Sequence, residues 1–489
     1  DVRLISKYLV YYKPLSFGAL LSLGHAPLNL WFLSFAAIFL SILAIEKQRD
    51  RSKIALFTFF LGMGYFILTL NWIVEPFLID FISHAWIAPF AIFFISTVMS
   101  LFWYIFSFIF APLGARWALL LGIATAEYFR SFFLTGFPWG TIASLFVSSP
   151  LGQLLAIFGP FGFGVFVFTI AMYLVYLIET KKFPATFIVV LVLSSLFFWG
   201  WQRQNQQVLF TDKMILLVQP NASQSKKWDE NLAPVFFDRM INATAAAKKV
   251  DLVVWPESAI YQPLNFADEL LGAIDKASAG MPVVFGALRF DENDNLRNSL
   301  VLQKAGEKQL IYDKSILVPF GEYLPLSGLL SKFGLRAMVN SYGSSFTRGH
   351  GPDLIEVEPD LRFQPLICYE AIFPSFLRAT PGRPDFILQI TNDAWFGRFS
   401  GPYQHLQILK MRAIETGLPV ARSANTGISA VISANGKIVD SLPLETEGSM
   451  ELGLPKAFQP TIYYNWGNSI FFIMILSLLL LHLIHKRYY

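Results

Sequence analysis

Hydrophobic and polar positions divide this chain into three stretches. From about residue 14 to residue 201 nearly every position is apolar, residues 211 to 460 have the mixed pattern of a globular protein, and residues 467 to 483 are apolar again. An apolar run of about 20 residues is long enough to cross a bilayer as a helix. The pattern therefore predicts a membrane protein with one soluble domain inserted before its last span.

Eight membrane spans are expected. The first, roughly Pro14–Leu23, is short unless Tyr8–Tyr12 are included. A secretory signal is the competing interpretation, but Ala26-Pro27 is a poor cleavage site and apolar sequence resumes at Leu28. The other spans are expected near residues 28–45, 54–74, 85–110, 113–133, 155–179, 184–201 and 467–485.

Basic residues in the short loops predict the orientation in the membrane. One side carries Lys47, Arg49, Arg51, Lys53, Lys181, Lys182, His485, Lys486 and Arg487. The opposite loops, Asn71–His84 and Thr135–Pro150, contain no Lys or Arg. Because basic loops stay in the cytoplasm, we expect residues 202–466 on the outer side, which is the periplasm if the cell is a Gram-negative bacterium.

Two charged residues lie within the fifth predicted span. Glu127 and Arg130 are one helical turn apart and can pair with each other. They can equally contact a lipid headgroup of the outer leaflet, since charged groups inside a membrane are usually functional. The sequence leaves both interpretations open.

Short apolar strands alternate with helical stretches in the middle of the chain. Strands are predicted at Met214–Gln219, Leu252–Trp255, Val283–Ala287, Ser299–Gln303, Phe363–Cys368, Phe386–Thr391, Val420–Ser423 and Ile428–Ser433. Helical spacing marks Asn231–Lys249, Phe266–Ser278 and Pro402–Thr416. This alternation predicts a layered α/β domain.

Composition excludes several kinds of site. The chain is 54% hydrophobic, 16% aromatic and 15% charged, and its net charge of +4 gives no signal for binding nucleic acid. A single cysteine excludes an intrachain disulfide framework and a Cys-rich metal site. The six histidines are scattered and no glycine-rich phosphate loop is present, so we expect neither a metal nor a nucleotide cofactor.

Three predicted strand ends carry reactive groups. The only cysteine, Cys368, follows an apolar strand. A lone cysteine is often a small buried hydrophobe, but the polar neighbours Tyr369 and Glu370 favour a chemical role here. Glu257 and Lys314 follow two other strands. A carboxylate, an amine and a thiol supply a base, an electrostatic partner and a nucleophile.

Several motifs together resemble a known family. Trp255-Pro-Glu257, Tyr312-Asp-Lys-Ser-Ile-Leu-Val-Pro-Phe-Gly-Glu322 and Ile367-Cys-Tyr-Glu-Ala-Ile-Phe373 resemble the Glu-Lys-Cys triad regions of the nitrilase superfamily. The same match is supported by Pro319-Phe-Gly-Glu-Tyr-Leu-Pro325, Thr391-Asn-Asp-Ala-Trp-Phe-Gly397 and Arg422-Ser-Ala-Asn-Thr-Gly427. Together with the predicted spans, the chain resembles the bacterial apolipoprotein N-acyltransferase family, the membrane-embedded members of that superfamily, along essentially its whole length.

The resemblance implies a fold, a reaction and a location. It implies a membrane domain of about seven spans (1–201), a periplasmic nitrilase-like αββα sandwich (202–464), and a last span with a cytoplasmic tail (465–489), in the bacterial inner membrane. The implied reaction moves a fatty acyl chain from a phospholipid to a lipoprotein. The acceptor is the α-amino group of an N-terminal cysteine that already carries diacylglycerol, and the other product is lysophospholipid.

The resemblance also assigns roles to individual residues. Glu257 is the implied general base, Cys368 the nucleophile that carries the acyl group as a thioester, and Lys314 the stabiliser of the oxyanion, with a backbone N–H near Tyr369 as a second donor. Two half-reactions through one acyl-enzyme predict ping-pong kinetics.

Further residues are expected to support the site. Glu322, Tyr369 and Glu370 match supporting positions of the family, although Glu322 also suits a turn acid bound to backbone N–H groups. Trp228 matches a tryptophan that the family places on a mobile arm near the lipid, or it packs as an ordinary aromatic. An apolar segment is expected either to shield the thioester from water or to pack on the core: Phe320, Leu324, Leu326, Leu329, Leu330, Phe333, Leu335 and Met338.

Two other functions use the same residues differently. A membrane-anchored amidase or nitrile hydrolase would need the same triad but no platform of spans. A transporter or lipid-binding scaffold with an inactive enzyme domain would usually carry polar or broken-helix sites at mid-membrane, whereas the predicted spans are mostly Leu, Ile, Phe and Ala.

Overall fold

The apolar stretches of the sequence fold into long helices. The computed structural model describes residues 2–181, 183–325 and 345–488. Its longer helices are α1 (Val2–Ser22), α2 (Trp31–Ile45), α3 (Arg51–Thr69), α4 (Ala88–Phe110), α5 (Ala115–Arg130), α6 (Leu155–Thr180), α7 (Phe183–Gln204), α8 (Ala233–Ala245), α9 (Asp268–Ser278), α10 (Gly401–Thr416) and α11 (Ser469–Tyr488). Short helices of about one turn lie between some of them, at Glu75–Leu78, Phe81–His84 and Ile462–Trp466.

The described chain divides into two compact units. The first contains Asp1–Gln206, Phe396–Thr416 and Pro460–Tyr489, and the second contains Gln207–Trp395 and Gly417–Gln459. The first unit thus holds α1–α7, α10 and α11, so that α10 groups with the apolar helices although the sequence places it within residues 202–464.

Each predicted span coincides with one of the helices α1–α7 and α11. Within the described ranges, four helical segments are long and apolar enough to cross a membrane: Arg51–Thr69, Phe81–Leu113, Pro150–Thr180 and Pro184–Gln204. Trp31–Ile45 and Ser469–Ile484 are shorter apolar helices. The predicted number of eight spans is therefore not confirmed, while a helical region with four candidate membrane spans is present in the described ranges.

The charged pair of α5 is buried inside the first unit. A guanidinium nitrogen of Arg130 lies 3.7 Å from Oε1 of Glu127, and both residues are 1% exposed. Arg130 also donates hydrogen bonds to the carbonyl oxygens of Trp139 (2.7 Å) and Gly140 (2.9 Å). Oε1 of Glu127 accepts a 2.8 Å hydrogen bond from the backbone N–H of Ile142. Of the two interpretations left open, the structure favours pairing, because these side chains fasten the loop after α5.

The second unit contains two six-stranded sheets. Its strands are β1 (Phe210–Gln219), β2 (Leu252–Val254), β3 (Val283–Phe290), β4 (Leu296–Gln303), β5 (Leu310–Asp313), β6 (Ile355–Glu358), β7 (Leu361–Ile367), β8 (Phe386–Thr391), β9 (Val420–Ala424), β10 (Ser429–Ile432), β11 (Ile438–Leu442) and β12 (Gly448–Pro455). The orders are β12-β1-β2-β3-β4-β5 and β11-β10-β9-β8-β7-β6. Each sheet contains three adjacent parallel strands: β1, β2 and β3 in the first sheet, and β7, β8 and β9 in the second.

Apolar side chains between the first sheet and helices α8 and α9 form a core that includes Trp255, Phe237 and Ile274. The two sheets are joined by hydrogen bonds from Ser423 Oγ to the carbonyl of Val218 (2.9 Å) and from Ser429 Oγ to Gln219 (2.7 Å). The predicted layered α/β domain is thus present, with paired sheets as expected for a nitrilase-like fold.

Strand direction brings the reactive groups to one end of each sheet. Strands β2 and β3 are parallel, and the two antiparallel pairings β3–β4 and β4–β5 make β5 run in the same direction. Glu257 and Lys314 therefore follow carboxyl ends at the same edge of the first sheet. Cys368 and Asn392 follow the parallel strands β7 and β8 in the second. Ligand and catalytic sites of open α/β sheets usually form at such ends.

Candidate active site

Lys314 lies between two buried carboxylates. Its ammonium nitrogen Nζ is 2.8 Å from Oε1 of Glu322 and 3.4 Å from Oε1 of Glu257. Lys314 is only 1% exposed. Burial alone lowers the pKa of a lysine, but Glu322 and then Glu257 outweigh it, and the net pKa of Lys314 is raised above its ordinary value. The two carboxylates therefore favour the charged form of Lys314.

An asparagine on β4 connects the two carboxylates. Asn298 Nδ2 donates hydrogen bonds to Oε1 of Glu257 (2.8 Å) and to Oε1 of Glu322 (3.1 Å). The backbone N–H of Asn392 donates to the other oxygen of Glu257, Oε2, at 2.8 Å. The backbone N–H of Val318 donates to Oε2 of Glu322 at 2.8 Å. Together with Lys314 Nζ, four donor groups therefore hold the two carboxylates in place.

Cys368 occupies a sharp turn directly after β7. Its φ of +50° lies in the left-handed region, which is unfavourable for a residue with a side chain. The carbonyl oxygen of Cys368 accepts a 2.9 Å hydrogen bond from Gln389 Nε2, which helps to hold that conformation. Strained backbone at the end of a strand is common at functional sites.

The thiol of Cys368 is buried, and its surroundings favour the protonated form. Burial raises its pKa above the ordinary value, and the Glu257 carboxylate raises it further. Lys314 and a hydrogen bond with Thr391 act in the opposite direction but do not cancel the rise. Since the thiolate is the nucleophilic form, a cysteine in this environment would need a base to take its proton before it could attack a substrate. Glu257 is the acid whose charge acts most strongly on it.

Glu370 ties the cysteine turn to the segment that carries Lys314. It is fully buried, and its Oε1 accepts hydrogen bonds from the Tyr312 hydroxyl (2.8 Å) and from the backbone N–H of Ser315 (2.7 Å). Its Oε2 accepts from the Ile367 N–H at 2.8 Å. Burial raises the pKa of Glu370, although these N–H donors partly offset the rise. Glu370 thus supports the relative position of nucleophile and cation.

Tyr369 packs beside the turn. It is 5% exposed, and its ring meets that of Phe373 edge to face with centroids 5.3 Å apart. The side chain therefore contributes to packing, while the backbone of Tyr369 immediately follows the nucleophile.

Hydrogen bonds connect Cys368 with four buried polar residues of the second sheet and the turn that follows β8. Arg422 donates to Gln389 and to Asp393, and Asp393 accepts from Thr391 Oγ1 at 3.0 Å. Gln389 and Thr391 both contact Cys368, through its carbonyl and its thiol respectively. All four polar residues are buried. The motifs that contain Thr391 and Arg422 therefore support the turn at Cys368 through buried hydrogen bonds.

Lys227 contacts both the backbone of Glu257 and the ring of its chain neighbour Trp228. Trp228 is 37% exposed, and the ammonium of Lys227 lies 5.6 Å from its ring centroid. Lys227 Nζ also donates a 3.0 Å hydrogen bond to the backbone carbonyl of Glu257. The tryptophan is thus a partly exposed aromatic next to the site.

The apolar segment expected near the site is described only in part. Phe320 is 54% exposed and Leu324 is half-buried. The other residues of that expectation lie outside the described residues: Leu326, Leu329, Leu330, Phe333, Leu335 and Met338. Its shielding role stays a prediction.

Sequence reasoning missed several residues that shape the site. Asn298 and Gln389 lie within apolar strands. From the sequence alone, a buried amide side chain in a strand cannot be distinguished from a polar side chain that faces solvent. Lys227 was passed over in favour of the tryptophan beside it. Within the described ranges, no group of three or more His, Cys, Asp or Glu side chains is arranged to hold a metal ion.

The fold and the site define a member of the carbon–nitrogen hydrolase class. A family model described as "Carbon-nitrogen hydrolase" matches residues 212–457. A second, "Apolipoprotein N-acyltransferase N-terminal domain", matches residues 17–173.

Relatives cover nearly the whole chain. The apolipoprotein N-acyltransferase of Caulobacter vibrioides is 32% identical over 488 residues, which span 94% of this chain and 91% of the relative. That of Rickettsia bellii is 33% identical over 506 residues, which span 96% of this chain and 98% of the relative. The chain belongs to the apolipoprotein N-acyltransferase family of the nitrilase superfamily and is an acyltransferase.

A solved structure also matches the chain in part. An amidase from Nesterenkonia sp. is 17% identical, with a TM-score of 0.37 over 52% of this chain and 94% of that one.

Proposed function

We propose that this protein transfers a fatty acyl chain from a membrane phospholipid to the α-amino group of an N-terminal S-diacylglyceryl-cysteine. Membership of the N-acyltransferase family supports N-acylation in lipoprotein maturation. The observation that carries the mechanism is the buried Glu257–Lys314–Glu322 cluster, in which the charges of Glu257 and Lys314 act on the single cysteine.

The first half-reaction forms an acyl-enzyme. Glu257 takes the thiol proton while Cys368 Sγ attacks the ester carbonyl of the phospholipid. Lys314 has three N–H donors, two of which point to carboxylates, and the third is available to the oxyanion together with a backbone N–H near Tyr369. The C–O bond then breaks, Glu257 returns the proton to the leaving oxygen, and lysophospholipid departs from the Cys368 thioester.

The second half-reaction transfers the acyl group to nitrogen. The free α-amino group of the acceptor attacks the thioester, and Glu257 takes a proton from the attacking amine. Breaking the C–S bond yields an amide, and the proton passes to the cysteine sulfur. Substrates that are both anchored in the bilayer give a reason for joining this chemistry to apolar helices.

The same proposal includes a location. The basic loops support insertion in the bacterial inner membrane with residues 202–464 in the periplasm. A periplasmic domain would meet exported lipoproteins after they receive diacylglycerol.

A transfer assay tests the function. The purified protein in phospholipid vesicles is mixed with a synthetic peptide that begins with S-diacylglyceryl-cysteine, and an N-acetylated copy of the peptide is the control. We expect one acyl group in amide linkage on the free peptide, one lysophospholipid released per transfer, and no change in the control. Release of free fatty acid with an unchanged peptide would contradict the proposal and favour a hydrolase.

A further inference from the structure

A second buried lysine lies next to the proposed base. Lys227 is 7% exposed, and its Nζ lies 3.0 Å from the backbone carbonyl oxygen of Glu257. Over the described ranges, Lys227 forms no ion pair with a carboxylate, and this carbonyl is the only hydrogen-bond acceptor of its ammonium. Its ammonium also lies over the ring of Trp228, 5.6 Å from the ring centroid.

A cation in this position is incompletely compensated. Burying a charge without a counter-ion is unfavourable, and burial lowers the pKa of Lys227 to about 8 even though Glu257 acts to raise it. Lys314 differs, because it lies between two carboxylates. Within the described ranges, Lys227 thus has two N–H donors without an acceptor and no ion-paired carboxylate, and Glu257 compensates its charge only in part.

Hydrogen bonds hold the segment around Lys227 in place. Gln224 accepts a 2.9 Å bond from Asn392 Nδ2, and the backbone of Asn392 donates to the carboxylate of Glu257. The backbone of Ala222 donates to and accepts from the side chain of Asn425, at 2.8 and 2.7 Å. The segment and the base therefore share the same support, which gives the ammonium a defined place relative to the reacting ester.

We propose that Lys227 binds the phosphodiester group of the donor lipid, a deepening of the proposed function on which it rests. In a glycerophospholipid the phosphodiester and the reactive ester are attached to the same glycerol. A cation on the backbone side of Glu257 lies beside the base without neutralising its carboxylate. The phosphodiester supplies the missing counter-ion, and it distinguishes a phospholipid from a neutral glyceride.

Two acyl-donor lipids that differ only in the charge of the phosphate test this role in the first half-reaction. Phosphatidylmethanol carries one negative charge, whereas its methyl phosphotriester has the same acyl chains and none. The rate of thioester formation on Cys368 is followed by intact mass spectrometry for the wild type, Lys227→Gln, Lys227→Arg and Lys226→Gln. Lys226 is the exposed neighbour of Lys227 and serves as the matched control.

We expect wild type and Lys226→Gln to prefer the diester by about 10- to 100-fold, the usual value of a hydrogen bond to a charged group. Lys227→Gln should lose that preference by slowing only with the diester, and Lys227→Arg should retain most of it. An equal loss with both donors would overturn the proposal, because Lys227 would then act through Glu257. A wild type without preference would also overturn it, even if Lys227→Gln failed to fold. A wild type that forms no thioester from either donor would instead contradict the proposed function.

Discussion

The ammonium of Lys314 is closer to Glu322, at 2.8 Å, than to any other acid of the site. Glu322 is itself fixed by the Val318 N–H and by Asn298. The nearest partner of the cation is therefore a carboxylate other than the proposed base. In the proposed mechanism, this arrangement would hold Lys314 in position while Glu257 changes its protonation state.

Replacing Glu322 tests this arrangement. Glu322→Gln removes the charge that holds Lys314 and lets the ammonium move toward Glu257. We expect thioester formation to slow by about 100-fold, a typical cost of a 1 Å misplacement in an active site. The melting temperature should change little, because the amide can still accept from Val318.

Glu356→Gln, at an exposed position of β6, is the matched control and should behave as wild type. A Glu322→Gln variant with an unchanged rate of thioester formation would show that Glu322 is a turn acid without influence on Lys314.

The thiol of Cys368 should respond to Glu257 in two opposite ways. The negative charge of Glu257 raises the thiol pKa, so Glu257→Gln lowers that pKa and increases the thiolate fraction at a given pH. At pH 8 we expect iodoacetamide to modify Cys368 slowly in the wild type and faster in Glu257→Gln. Thioester formation from phospholipid should nevertheless fall by about 100- to 10,000-fold without the base.

The pH dependence of Cys368 alkylation shows whether Glu257 raises or lowers the thiol pKa. Because the thiol pKa is raised, the rate of alkylation should continue to increase above pH 8.5, where an ordinary cysteine is already largely ionised. The curve for Glu257→Gln should shift to lower pH. Slower alkylation in Glu257→Gln at every pH would argue against the electrostatic coupling of the two groups.

Arg130 is expected to act on stability rather than on lipid selection. Arg130→Met leaves Glu127 buried and removes hydrogen bonds to the carbonyls of Trp139 and Gly140. Breaking a buried pair in this way usually costs about 3–5 kcal/mol, so the midpoint of thermal unfolding in detergent should fall clearly. Arg49→Met, at an exposed loop position, should leave it unchanged. An altered donor preference with an unchanged midpoint would restore the lipid-contact interpretation.

The sequence predicted the interior of the soluble fold better than its edges. All eight predicted strands are present, and the strand end predicted before Lys314 is that of β5. The three strands that were missed, β6, β11 and β12, lie at ends of the two sheets. Edge strands are exposed on one side and carry polar residues, as in Ile355-Glu-Val-Glu358, where exposed and buried positions alternate. Short runs of this kind resemble turns, whereas interior strands are continuous apolar runs.

The site residues that lie within the recognised sequence motifs could be predicted. Glu257, Lys314 and Glu322 meet in the structure, and the charges of Glu257 and Lys314 act on Cys368. The supporting residue Asn298 was not predictable, because its function depends on the pairing of β4 with β3 and β5. No local pattern reports which strands become neighbours.

The thioester on Cys368 is the central claim of this account. The direct measurement is the intact mass of the purified protein after incubation with phospholipid and without an acceptor, with Cys368→Ala as the control. We expect the wild type to gain the mass of one fatty acyl group, hydroxylamine to remove it, and the variant to gain none. An unmodified wild type that still transfers acyl chains to an acceptor would contradict covalent catalysis by Cys368.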